Sequence, residues 1–318
     1  MRGRLHLAWV VVSLLAAGGA VGGALGAQPG EPPPLHSGTQ KILMPQRVLG
    51  IRRSYYVHVP AVDRTTPLPI VVALHGAFST GREFERLSGF SALADREGFI
   101  VVYPQGIGLG NLFRHWNSGH CCGRARKMNL DDVGFVLASV EDAARRTPVD
   151  RSRLYVTGFS NGGMLAYRIA AEHPDIVAAV AVVSGTIGGR PAANEPEWSL
   201  PRPRQPVAVL AMHGRADANV PYDGGRGAQS HGTTTAISVA RSIGLWVDVD
   251  GCNADPQLKW LAQGRIERRV WSGCRRDTQV VLYSLKDWGH QWPDAKSLDG
   301  FDAAGQIWQF FAQHGTAP

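Results

Sequence analysis

Leu154-Tyr155-Val156-Thr157-Gly158-Phe159-Ser160-Asn161-Gly162-Gly163-Met164-Leu165-Ala166-Tyr167 is the stretch of this 318-residue sequence that decides its fold. The first four residues are β-branched, aromatic or aliphatic and read as a strand. The residues from Met164 onward are compatible with a helix. Between them lies the pattern G-x-S-x-G, with Ser160 at its centre. A strand that turns directly into a helix places one residue on a sharp, strained corner, and glycines beside that corner avoid side-chain collisions. The following helix aims its first amides and the positive end of its dipole at whatever meets the serine.

Working outward, short apolar runs alternate with helical patterns, which predicts a parallel sheet with crossover helices. Strands are expected at 54–59, 70–75, 99–103, 154–157, 176–183, 207–212 and 280–285. Helices are expected at 84–97, 132–146, 163–172 and 301–313, the second with Asp131 and Asp132 at the positive end of its dipole. Two irregular stretches, 106–128 and 187–206, should be long loops near the strand C-termini, where open α/β sheets place their ligands. No linker marks a second domain, so residues 41–318 are read as one α/β domain.

A serine hydroxyl is a weak nucleophile at neutral pH. It needs a base to take its proton and a third group to orient that base. In the α/β-hydrolase fold the chain order is serine, acid, histidine. Asp217 follows the expected strand 207–212, and His290 follows the expected strand 280–285, so both fall on the sheet edge that carries Ser160. His75, His173 and His213 are read as structural, and Asp223 and Asp287 fit the order less well than Asp217. An oxyanion hole also requires two backbone donors. Asn161 follows the nucleophile, and the second donor is expected near Ala77 or Phe78, where Gly76 allows close approach.

Apolar residues make up 44% and charged residues 19% of the chain, a globular composition, and the net charge is +7. The arginines are scattered, with no basic run interleaved by aromatics, so no nucleic-acid partner is expected. Arg2 and Arg4 precede an apolar run from Leu5 to Leu15 and a small-residue stretch ending Ala24-Leu25-Gly26-Ala27, which reads as a signal peptide over 1–27. Residues 28–40 read as a flexible, Pro-rich leader. The expected product is a secreted protein, extracellular or periplasmic, with no stable membrane span after signal cleavage. Four cysteines in an exported chain suggest disulfides. They allow three connectivities; the adjacent Cys121 and Cys122 could pair together, stay reduced or pair elsewhere. No cysteine or histidine spacing matches a metal site, and no metal or organic cofactor is expected.

Six segments occur in one order: Val72-Ala73-Leu74-His75-Gly76, Asp131-Asp132-Val133-Gly134-Phe135, Gly158 to Met164, His213-Gly214 through Asp217, Val220-Pro221-Tyr222, and Gly289-His290-Gln291-Trp292-Pro293. Together they resemble the extracellular polyhydroxybutyrate depolymerase and feruloyl esterase family over roughly residues 41–314. The resemblance implies a mostly parallel, twisted sheet with helices on both faces. It implies Ser160 as nucleophile, Asp217 as acid and His290 as base, and a bridge between Cys252 and Cys274. It also implies a serine carboxylic-ester hydrolase acting through an acyl-enzyme on poly- or oligo(3-hydroxybutyrate)-type or related small esters. Feruloyl or acetylxylan ester hydrolysis is the alternative, and a non-catalytic binding protein on the same fold is the alternative of another class. Many polymer-degrading members of the family it resembles carry a linker and a separate substrate-binding domain, which are not read in this sequence, so soluble oligomers or small esters are expected. Trp116, Tyr222 and Trp292 are the candidates for binding the substrate, with Trp288 beside them. No Arg or Lys except Arg215 lies within the site segments, which points away from a carboxylate clamp and to a neutral ester.

Overall fold

The computed structural model describes residues 32–62, 66–109, 112–230 and 233–315. The expected signal peptide over 1–27 and the first part of the expected leader lie outside the described residues. Strands β1 (Gly38–Val48), β2 (Ile51–Val59), β3 (Leu68–Leu74), β4 (Ile100–Pro104), β5 (Val149–Phe159), β6 (Ala179–Val183), β7 (Ala208–Gly214), β8 (Gln257–Leu261), β9 (Ile266–Trp271) and β10 (Val280–Leu285) form one sheet. Their spatial order is β1-β2-β4-β3-β5-β6-β7-β10-β9-β8. The stretch from β4 to β10 is parallel, and antiparallel hairpins extend it at both edges.

Strand β3 shows why helices cover both faces. All of its residues are buried. Ile70, Val72 and Leu74 point into one apolar cluster with the helices α3 (Asp132–Ala144), α4 (Asn161–Glu172) and α5 (Val239–Asp250). Val71 and Ala73 point into the other, with α1 (Gly81–Ser88), α2 (Phe90–Glu97) and α6 (Ala303–Phe311). The alternation is the two-residue period of a strand, and a strand buried on both sides must be continuously apolar. Two cores therefore pin the sheet, and the loops at the strand C-termini are held by both.

Two expectations need correction. The helix expected at 84–97 is two helices. Thr80 starts α1 with a capping box to Glu83, and Gly89 ends it in the left-handed conformation at φ 72° before α2 begins. The ordered body begins earlier than residue 41. Leu35 is buried and its N–H donates to the Arg146 carbonyl at 3.1 Å, and β1 starts at Gly38. Strands β8 and β9 and helix α5 fill a stretch left unassigned from the sequence. Cys252 and Cys274 are bonded across 22 residues, tying the end of α5 to the chain after β9. Cys121 and Cys122 are paired with each other.

Candidate active site

The turn between β5 and α4 puts Ser160 at φ 55° and ψ −122°, a conformation that non-glycine residues avoid. Its own backbone is held on both sides. The Ser160 N–H donates to the Val183 carbonyl at 2.8 Å, and the Ser160 carbonyl accepts from Met164 N–H at 2.9 Å. The neighbouring glycines are required by space. A Cβ on Gly158 would overlap the Gly162 backbone, and one on Gly162 would overlap the Leu74 and His75 carbonyl oxygens. The strain, on the order of 1–3 kcal/mol, is sustained by this surrounding backbone.

The loops after β7 and β10 bring Asp217 and His290 to the same edge. They are tied to each other by the Arg215 N–H to Leu285 carbonyl bond at 2.9 Å and the Ala216 N–H to Trp288 carbonyl bond at 3.0 Å. His290 Nδ1 lies 2.7 Å from Asp217 Oδ2, and His290 Nε2 lies 2.9 Å from Ser160 Oγ. The Asp217 carboxyl is buried, which alone would raise its pKa. The neighbouring His213 ring, the hydrogen bond from His290 and the N–H of Val220 outweigh burial and hold it well below the usual carboxylate range. An ionised carboxylate only accepts, so Nδ1 carries the proton and donates it. Nε2 of the neutral ring is then the acceptor for the Ser160 hydroxyl. Asp217 Oδ1 also accepts from Asn219 N–H at 2.9 Å and Val220 N–H at 2.8 Å, which fixes the carboxylate plane. His213, read as structural, donates from Nε2 to the Val220 carbonyl at 2.8 Å and lies 3.4 Å from Asp217 Oδ2.

The loop after β3 passes directly against the serine. A Cβ on Gly76 would sit 3.5 Å from Ser160 Cβ and 3.1 Å from the Phe159 ring. Phe78 N–H is committed to the Arg114 carbonyl at 2.8 Å, so of the two expected donors in this loop only the Ala77 N–H is not engaged by a backbone carbonyl. Among the described residues, neither Ala77 N–H nor Asn161 N–H donates to a protein acceptor. Two amides beside the serine are thus open to a developing negative charge.

The aromatic candidates are placed differently from expectation. Trp116 is fully buried, and Trp292 is 6% exposed. Trp292 packs edge-on against Phe84, 5.2 Å between ring centres, and belongs to the core under α1 and α2. Neither presents a face to a ligand, because both fill space between the sheet and its covering segments. Trp288 is buried as well, its indole N–H donating to the Gln291 carbonyl at 3.1 Å. Tyr222 is half-buried, with its hydroxyl 2.6 Å from Ser284 Oγ and the Arg215 guanidinium over its ring. The exposed apolar side chains near the site are Phe78 at 48% and Phe113 at 55%, whose rings meet edge-on at 6.0 Å. The sequence pointed to Phe78 only for its backbone N–H, and it gave no sign of Phe113. A cavity of about 280 Å³, lined in part by Arg126, Lys127, Arg168 and Trp198, lies away from Ser160, Asp217 and His290, none of which lines it.

Similarity to known proteins runs in the same direction. Residues 53–202 match the family model described as Esterase PHB depolymerase. The chain is similar to Feruloyl esterase B of Piromyces equi, 24% identical over 240 residues, covering 75% of this chain and 42% of the relative. It is similar to Poly(3-hydroxyalkanoate) depolymerase C of Paucimonas lemoignei, 33% identical over 134 residues, covering 41% of this chain and 30% of the relative. The chain spans less than half the length of these two relatives. Among solved structures, the acetyl xylan esterase from Aspergillus awamori shares the fold at TM-score 0.59 and 18% identity, covering 87% of this chain and 99% of that one. Strand, elbow and crossover helix all fall within the segment, residues 53–202, that is similar to the Esterase PHB depolymerase family.

Proposed function

We propose that this chain is an exported serine carboxylic-ester hydrolase, and the observation that carries the reading is the unbroken relay from Ser160 Oγ through His290 to Asp217, at 2.9 and 2.7 Å. His290 Nε2 takes the Ser160 proton as Oγ attacks the ester carbonyl. The imidazolium that forms is stabilised by the Asp217 carboxylate. The carbonyl oxygen becomes an oxyanion and receives the N–H groups of Ala77 and Asn161. Each such donor contributes roughly 3 kcal/mol to lowering the barrier. The tetrahedral species collapses, the C–O bond to the alcohol breaks, and His290 returns the proton to the leaving oxygen. A water, deprotonated in turn by His290, releases the acid and restores Ser160.

The substrate class we favour is a neutral ester with an apolar acyl or alkoxy part, such as oligo(3-hydroxybutyrate). The Phe78 and Phe113 pair supplies an apolar edge beside the Ala77 amide. The feruloyl esterase relative supports an aryl ester as the second reading. Export is supported by the basic and then apolar start of the sequence and by the Cys252–Cys274 bridge, which an oxidising compartment preserves. Among the described residues no helix is long and apolar enough to cross a membrane. The test is a panel of hydroxybutyrate oligomers, methyl ferulate and acetylated xylan, run beside p-nitrophenyl butyrate. Turnover of the oligomers is expected. Turnover of none of the four returns the chain to the binding-protein class, and turnover of ferulate or xylan alone moves the substrate assignment there.

A further inference from the structure

The chain segments that carry the two candidate oxyanion amides are joined by one circuit of hydrogen bonds, and the side chain that links its two ends is Trp116. The Ala77 N–H shares a peptide unit with the Gly76 carbonyl. That unit is planar, so its carbonyl and N–H point in opposite directions, and whatever fixes the carbonyl aims the N–H. His75 Nδ1 lies 2.8 Å from the Gly76 carbonyl oxygen, and His75 Nε2 accepts from Gly106 N–H at 3.0 Å. An amide N–H only donates, so the His75 proton sits on Nδ1 and is donated to Gly76. The peptide unit before it is gripped as well, because the Trp116 indole N–H donates to the His75 carbonyl at 2.9 Å. The Trp116 backbone is then bound at both its polar atoms by one side chain. Asn161 Oδ1 accepts from Trp116 N–H at 2.8 Å, and Asn161 Nδ2 donates to the Trp116 carbonyl at 3.1 Å. Asn161 carries the other oxyanion amide on its own backbone.

We infer that Trp116 and the Asn161 side chain are positioning residues that fix the Ala77 amide relative to the Asn161 amide. The inference rests on the ester-hydrolase reading above. Trp116, His75 and Asn161 are fully or almost fully buried, so each hydrogen bond in the circuit is made without competing water. The circuit is also neutral: burial pushes the His75 ring down to about 4, which keeps it uncharged at working pH. The geometry explains why an amide side chain follows the nucleophile. A residue there must accept and donate at once to grip a peptide, and aspartate or leucine lacks one or both capacities.

The test is Trp116→Phe, which keeps an aromatic filler and deletes the indole N–H, together with Asn161→Ala and the double variant. Three quantities are read with p-nitrophenyl butyrate: kcat, KM, and the affinity for a trifluoromethyl ketone, which forms an oxyanion on Ser160, against its unfluorinated ketone, which does not. Each single variant should lower kcat about tenfold, less than loss of an oxyanion donor itself. KM should stay within twofold, and trifluoromethyl ketone affinity should fall in step with kcat/KM while ketone affinity holds. The double variant should lose little more than the worse single one, because both cut one circuit. Unchanged kcat with only a lower Tm, or a rise confined to KM, overturns the inference. If Trp116→Phe does not fold, Asn161→Ala decides by the same readouts, and Asn161→Asp, which keeps the acceptor, should fall between it and the wild type. An inactive wild type would overturn the hydrolase reading instead.

Discussion

On one side of Ser160 the loop after β3 presents backbone amides, and the groups that hold it are neutral: a buried imidazole, an indole and a carboxamide. On the other side the loops after β7 and β10 present side chains, and their partner is a charge, the Asp217 carboxylate against His290. The first half can only be right or wrong in position, because its amides neither gain nor lose a proton. In the proposed reaction the second half must change its charge during each turnover. Damage to the neutral half should therefore be graded, and damage to the charged half should come close to abolishing the reaction.

The largest effect tests the charged half. His290→Ala should lower kcat by about 10⁶-fold and Asp217→Asn by about 10⁴-fold, because asparagine cannot hold the imidazole in the required tautomer or stabilise its cation. The two losses should not add. Initial rates with p-nitrophenyl butyrate decide this, and additive losses would mean that the pair does not act as a unit. On the neutral half, Gly162→Ala forces a Cβ against the Leu74 and His75 carbonyl oxygens and so displaces the loop that carries Ala77. A loss of about 10²- to 10³-fold in kcat is expected, the size of one misplaced oxyanion donor. Full activity in that variant would show that the loop tolerates movement and that its position is not critical.

Away from the site, the bridge offers a control on both halves. Reducing Cys252–Cys274 should cost about 3 kcal/mol of stability through the freed loop of 22 residues, read as a lower denaturation midpoint. Activity at 25 °C should be preserved, since the bridge lies on the antiparallel edge. The smallest effect concerns strand β7, which has a buried aspartate at each end. Asp217 is held low by its histidines, whereas Asp250, whose Oδ1 accepts from Val207 N–H at 3.2 Å, is pushed up to about 7 by burial. Between about pH 4 and 7 the unfolded chain has released this proton and the folded chain has kept it, so stability falls as pH rises through that window. Asp250→Asn removes the fall. It should stabilise the protein at pH 8 and hardly at all at pH 4, measured by urea denaturation at both values.

How far these features were legible in the chain follows from how local their causes are. The elbow was readable because strand, strained corner and glycines sit within one short stretch around Ser160. Asp217 and His290 were readable as candidates because each follows a strand that is apolar on both faces and thus easy to place. The aromatic lining was not. Trp116 and Phe113 lie three residues apart, yet one is fully buried and the other exposed, and only the path of the loop over α4 and β3 separates them. The edge strands β1, β8 and β9 were missed or shortened for a related reason. Half-exposed strands carry polar residues such as Lys41, Lys259 and Arg269, and these dilute the apolar signal.

The most direct measurement is the intact mass and peptide map of the protein after treatment with diisopropyl fluorophosphate, followed alongside residual hydrolysis of p-nitrophenyl butyrate. One phosphoryl adduct per chain, on the peptide containing Ser160, should appear in proportion to lost activity, and Ser160→Ala should take no adduct and show no turnover. Hydrolysis that persists in Ser160→Ala, or an inactivating adduct mapped to another residue, would contradict the assignment of Ser160 as the nucleophile.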